Sequence, residues 1–232
     1  MSESTQDHPA PAAPGGLFSN LIRRFDLHAG AESSMKIAGL ALLYLWTLST
    51  LNSWTYQASA GFGLAVERAH GGGSGSADST PRIYFEGQSL GWIEIPRLGI
   101  LAVVAHGDDS GTLSRAVGHI PGTAFPGQGG NVGLAGHRDT FFRSLQDIQG
   151  EDTIRLVMPE RVYEYRVEAA TIVKPDRVDV LESTRASTLT LVTCYPFEYI
   201  GLAPYRFVIR ATERGIGPDV REAPLPGLLR AR

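Results

Sequence analysis

Thr188-Leu189-Thr190-Leu191-Val192-Thr193-Cys194 is a short apolar, β-branched run that ends in the only cysteine of the chain. Such a run reads as a buried strand. Tyr195-Pro196-Phe197 stops it, and Pro204-Tyr205-Arg206-Phe207-Val208-Ile209 reads as the returning strand. In an antiparallel pair joined by that loop, Cys194 and Arg206 lie side by side at one end of a sheet. A cation beside a thiol stabilises the thiolate and any oxyanion made by its attack. The pattern then requires a proton donor and acceptor elsewhere in the chain.

Working outward, the same kind of signal recurs. Trp92 to Ile95 alternates until Pro96, and Leu98 to Ala105 reads as a second strand. Asn131 to His137 is a glycine-rich strand leading to a site, and Asp139 is placed to cap a short helix through Phe141, Phe142 and Leu145. Thr153 to Met158 and Val162 to Val173 follow. In the second of these, Tyr163, Tyr165 and Val167 share one face, and Glu164, Arg166 and Glu168 the other. With Thr188 to Cys194 and Tyr205 to Ala211 this makes seven or eight strands, separated by turns drawn from 27 glycines and 14 prolines. An all-β, closed or nearly closed barrel over residues 83–212 is expected, with an irregular tail at 213–232.

The N-terminal third does not belong to that pattern. Residues 1–36 read as a disordered, cytoplasmic segment, although Leu17, Phe18, Leu21, Ile22 and Phe25 recur at helical spacing. No side chain from Ile37 to Val66 is charged. Residues 37–56 read as a transmembrane anchor, since roughly 20 apolar residues cross a ~30 Å hydrocarbon layer. Trp54 and Tyr56 suit its far interface. Arg23, Arg24 and Lys36 precede the span, so the C-terminal domain is expected outside the cytoplasm. Ala58-Ser59-Ala60 keeps open the alternative of a cleaved signal peptide. Residues 57–82 read as a flexible linker. The net charge of −3 gives no electrostatic footprint for nucleic acid.

Of six histidines, His8, His28 and His70 lie outside the expected domain. His137 stands at a strand end and is the preferred acid and base. His119, in Gly118-His119-Ile120-Pro121, reads as holding a turn, and His106 is weaker still. Asp139 could also tune His137, but capping is the preferred role. Cys194 as an inert, buried thiol is the competing interpretation, and Arg206 as a surface arginine its companion.

The motifs are more specific than the spacing. Thr190-Leu191-Val192-Thr193-Cys194 resembles the TLxTC signature of sortases, the cysteine transpeptidases of bacterial surfaces. Asn131 to Thr140 resembles the family's histidine motif, and Arg206 stands where its arginine follows the cysteine. The stretches LAGHRDTFFRSL and TLVTCYPFEYIGLAPYRF are most similar to class D. The resemblance runs from about Gly91 to Ala211. It implies an eight-stranded barrel outside the membrane that recognises an LPxTG-like sorting signal on a secreted protein. Cys194 would attack the threonine carbonyl, His137 would move the protons, and Arg206 would bind the oxyanion or position the substrate. Thr193 would be a substrate-side or oxyanion-side contact. The acceptor would be an amine of peptidoglycan or of a pilin lysine.

No cofactor is expected, and no metal, because Asp176, Asp179 and Glu182 do not form a persuasive calcium cluster. An L,D-transpeptidase is disfavoured, since that family keeps histidine and cysteine in one motif. The reading from a different class is a non-catalytic, membrane-tethered barrel that serves as an assembly or adhesion module.

Overall fold

A computed structural model describes the chain over residues 17–70 and 84–216. Its first element, α1 (Leu17–His70), contains a stretch, Ser34–Ala60, that is long and apolar enough to cross a membrane. Helix therefore replaces disorder at residues 17–36, and it also covers 57–70, the first part of the expected linker. The absence of glycine or proline breakers from Gln57 to Ala60 lets the helix run on, and its contacts hold it. Residues 71–83 and 217–232 lie outside the described residues, as do 1–16.

Eight strands follow: β1 (Ser89–Ile95), β2 (Ile100–His106), β3 (Val117–His119), β4 (Asn131–Ala135), β5 (Thr153–Val157), β6 (Val162–Val173), β7 (Thr188–Tyr195) and β8 (Tyr205–Ile216). They close into a barrel in the order β1-β2-β3-β4-β7-β8-β6-β5, as the sequence led us to expect. Closure leaves no free sheet edge along the ring. The inside is filled by Ile93, Ile95, Leu134, Ile154, Leu156, Leu189, Leu191 and Ile209, each almost wholly buried. Strand β8 continues to Ile216, four residues into the stretch expected as an irregular tail. The long β6 supplies partners for it there, with Glu164 opposite Gly215 and Tyr163 opposite Ile216.

Two pairings decide where the chemistry lies. β4 and β7 are parallel, with Ala135 opposite Val192, so both strands leave the barrel at the same end. β8 is antiparallel to β7, so it enters at that end, with Arg206 opposite Cys194.

The polypeptide from Leu51 onward forms one compact unit, and the helix end is fastened to the barrel within it. The Gln57 amide acts like an inserted peptide group between β2 and the start of β3. Its Nε2 donates to Arg115 O at 2.6 Å and its Oε1 accepts from Val103 N at 2.8 Å. The Tyr56 hydroxyl, which the sequence suggested for a membrane interface, donates to Gly87 O at 2.8 Å. The Arg115 guanidinium lies 5.1 Å from the Tyr56 ring centroid.

Candidate active site

The strand geometry places the three candidate side chains toward one end of the sheet. Cys194 lies two residues beyond Val192 and His137 two residues beyond Ala135, which pair across β4 and β7. Cys194 is a half-buried free thiol, and His137 is exposed. Cys194 and Arg206 are cross-strand partners and so share one face. That face is opposite to the one on which Leu134, Leu191 and Ile209 enter the core. Cys194 and Arg206 thus lie outside the packed interior, on strands next to the end of β4.

The backbone before His137 is fixed from three sides. Gly136 N donates to Val192 O at 3.2 Å, and Phe142 N donates to His137 O at 3.1 Å. A Cβ on Gly136 would stand 2.7 Å from the Phe142 ring, so only glycine lets that buried ring close against the chain. Thr193 supplies the third tie: its hydroxyl donates to Gly136 O at 2.7 Å, and the residue is almost wholly buried. Strand alternation turns Thr193 to the face opposite Cys194. The structure therefore places the expected substrate contact as a strut between the cysteine strand and the histidine turn. Asp139 caps nothing here. The helical turn forms later, at Arg143–Asp147, with Phe142 at its cap position and no side-chain cap bond. The preceding turn is closed by the His137 carbonyl instead, which removes the need for a side-chain cap.

Side chains on these strands and turns hold three loops of the barrel, and sequence reasoning missed the residues that hold two of them. Asn131 is buried and uses its whole amide. Its Oδ1 accepts from Thr188 Oγ1 at 3.1 Å and Thr190 Oγ1 at 2.8 Å. Its Nδ2 donates to Val180 O at 3.0 Å and Glu182 O at 3.2 Å, with Arg210 Nη2 adding a bond to Val180 O at 3.2 Å. The short turn Val178–Leu181 is thereby fastened to β4, β7 and β8. A buried asparagine with two threonines opposite it in the parallel strand was the only signal available.

His119 does hold a turn. Its Nε2–H donates to Ala124 O at 2.9 Å, and its Nδ1 faces His106 Nδ1 at 3.3 Å. Burial, with His106 beside it, pushes the His119 pKa below the ordinary histidine value of 6.5. Phe125 stacks on the ring at 4.4 Å between centroids. The third loop, joining β7 to β8, is held by Arg138 Nη2, which donates to Tyr199 O at 2.6 Å and Gly201 O at 3.1 Å. Arg206 Nη1 donates to Ala203 O at 3.2 Å and Tyr205 O at 3.0 Å. No group of three or more potential metal-ligating side chains occurs among the described residues.

A closed barrel that presents a thiol, an imidazole and a guanidinium on adjacent strand ends has the form of a cysteine acyl-transfer enzyme. Residues 93–214 match the sortase domain family, and the chain belongs to the sortases, the cysteine transpeptidases its motifs resembled. Among curated relatives it is similar to sortase D of Bacillus subtilis, with 34% identity over 124 residues, 53% of this chain and 63% of that protein. It is also similar to a Streptomyces coelicolor sortase, SrtE1, at 29% identity over 50% of this chain and 39% of that one. The match thus spans less than two thirds of either relative. Among solved structures, a Clostridium perfringens sortase D5 transpeptidase superposes with a TM-score of 0.60 at 24% identity, covering 69% of this chain and 99% of that one. The Streptomyces coelicolor sortase E1, solved with a tripeptide in its active site, gives 0.53 at 28% identity over 60% of this chain and 95% of that one.

Proposed function

We propose that this chain is a membrane-anchored class D sortase that cleaves an LPxTG-like sorting signal and transfers the acyl part to an amine. The observation that carries the reading is the pairing of Cys194 with Arg206 across β7 and β8, with His137 two residues beyond the end of the parallel β4.

In this reading the Cys194 thiolate attacks the carbonyl carbon of the signal's threonine, forming the S–C bond. The carbonyl electron pair moves to oxygen, and Arg206 stabilises the charge. Its guanidinium stays protonated throughout and offers several donors in one plane. When the oxyanion collapses, the C–N bond to glycine breaks. The imidazolium of His137 gives its proton to the departing amine, which leaves a thioacyl-enzyme. An incoming amine then attacks the thioester carbon, His137 takes its proton, and the thiolate departs. Water in place of the amine would give hydrolysis. Thr193 acts through the backbone: by holding Gly136 it fixes the distance between the cysteine strand and the histidine turn.

The apolar helix serves as the anchor in the same reading. Ser53, Tyr56 and Gln57 are engaged with the barrel unit, so the lipid-crossing part ends near Asn52. Residues 34–52 make about 28 Å of helix, close to a ~30 Å hydrocarbon layer. Basic residues before it put the N-terminus in the cytoplasm and the barrel outside.

The test is mass spectrometry of the full-length chain in detergent after incubation with an LPxTG-type peptide, with and without a glycine-based amine. The expected result is an acyl adduct on Cys194 that passes to the amine. Cys194→Ala keeps the barrel's circular dichroism and loses all product; product from that variant would overturn the reading.

A further inference from the structure

The loop between β7 and β8 connects the proposed nucleophile to the proposed oxyanion arginine; Phe197 packs its start against the core and Phe207, but little packing holds the part beyond it. Ile200 and Leu202 are each 97% exposed, and Tyr199 and Tyr205 are exposed as well. Gly201 sits at φ +103°, a conformation that side-chain-bearing residues rarely adopt. Side chains left in water contribute no burial energy, so beyond Phe197 hydrogen bonds to the backbone set the loop's position.

Those bonds come from two guanidiniums reaching in from opposite sides. Arg206 takes the carbonyls of Ala203 and Tyr205, at the β8 end. Arg138 takes the carbonyls of Tyr199 and Gly201, at the outermost part. The Arg138 guanidinium carbon also lies 5.8 Å from the Tyr199 ring centroid. Arg138 directly follows His137, so one side chain joins the histidine turn to the loop between Cys194 and Arg206. Its Nη1 is buried without a hydrogen-bond partner among the described residues. A residue selected for stability alone would satisfy that donor, because an unpaired buried N–H is costly.

We propose that Arg138 is a positioning residue that clamps the β7–β8 loop in its peptide-binding position. The inference rests on the transpeptidase reading for its kinetic consequence, but not for the clamp itself. His137 is fixed independently, through Gly136, Thr193 and the turn to Phe142. Loss of Arg138 therefore frees the loop without moving the imidazole. The signal peptide must then order the loop when it binds, which weakens binding more than it slows the chemical step.

The experiment uses the full-length chain in detergent and the variants Arg138→Gln and Arg138→Lys, with unfolding midpoints measured to confirm that each is folded. Hydrogen exchange of the amides in residues 197–204 is expected to accelerate about 10-fold in Arg138→Gln. Arg138→Lys should fall between it and wild type, since a point charge cannot serve two carbonyls as a planar fork does. For the LPxTG-type peptide, KM should rise about 10-fold with kcat within about 3-fold. Alkylation of Cys194 by iodoacetamide should be unchanged. Unaltered exchange in the loop, or a fall in kcat at constant KM, would overturn the clamp. A wild-type chain that forms no adduct with any signal peptide would instead overturn the transpeptidase reading, while the exchange data still decide whether Arg138 holds the loop.

Discussion

The loops of the barrel are held in two contrasting ways. The turn at Val178–Leu181 and the loop after β3 are fastened by buried, neutral groups, the amide of Asn131 and the imidazole of His119. The β7–β8 loop is fastened by two guanidiniums, Arg138 and Arg206, beneath exposed apolar side chains. A neutral dipole can be buried at little cost once its bonds are made, and it then gives a rigid wall. A guanidinium costs more to bury, so its hold is weaker and adjustable, and in the proposed mechanism the one on Arg206 also supplies the charge that meets an oxyanion. Rigidity and charge are therefore supplied at opposite ends of β4 and β7.

The largest effect should come from the charged end. Arg206→Lys keeps the charge but loses the plane of donors, and kcat is expected to fall about 100-fold with KM changed little. Steady-state kinetics with the signal peptide check this, and equal losses in kcat and KM would remove the oxyanion role. At the neutral end, Asn131→Ala leaves two hydroxyls and two carbonyls without their common partner. Unfolding free energy should drop by about 2–3 kcal/mol, measured by urea unfolding. A change too small to measure would show that the turn at Val178–Leu181 is not held by the amide.

Acid offers a milder probe of the same end. His119 has its pKa lowered on folding, so the unfolded chain binds the proton first. Its contribution to stability is complete above about pH 6.5 and is lost progressively as pH falls toward the folded-state value. His119→Gln can still donate to Ala124 O and should flatten that part of the stability–pH curve; an identical slope would assign the loss to other groups. The smallest effect belongs to Asp179→Ala. Arg177 Nε and Asp179 Oδ1 pair at 2.7 Å, but both side chains are exposed. No measurable shift in the unfolding midpoint is expected, because solvent-screened pairs contribute little. A clear loss would mean that surface charge, and not Asn131, fastens this turn.

Much of this organisation was readable in the chain, for identifiable reasons. Strand β6 spans Val162 to Val173, the bounds read from the sequence, and the alternation holds in its first half, where Tyr165 and Val167 are buried while Arg166 and Glu168 meet water. The Cys194–Arg206 pair followed from a strand, a proline-bearing loop and a returning strand. The misreadings have physical causes too. A glycine-serine-rich stretch after Val66 suggested that the linker began soon after the membrane span, whereas the helix runs to His70. Gln57 finds its partners at Val103 and Arg115, and no local pattern announces an amide that completes a distant sheet. Asp139 had capping chemistry, but the His137 carbonyl closed the turn first. Thr193, expected as a substrate-side or oxyanion-side contact, donates its hydroxyl to Gly136 O, a partner that only the tertiary structure reveals.

The sequence by itself determined the apolar helix, the barrel class and the residues with reactive side chains, because periodicity and side-chain chemistry are local properties. Tertiary structure decided the rest: which strand ends come level, that Thr193 and Asn131 act as struts, and that Arg138 reaches the loop beyond Cys194. Those outcomes depend on the parallel pairing of β4 with β7. That pairing joins segments 57 residues apart, as from Asn131 to Thr188, and its register is set by how the whole barrel closes.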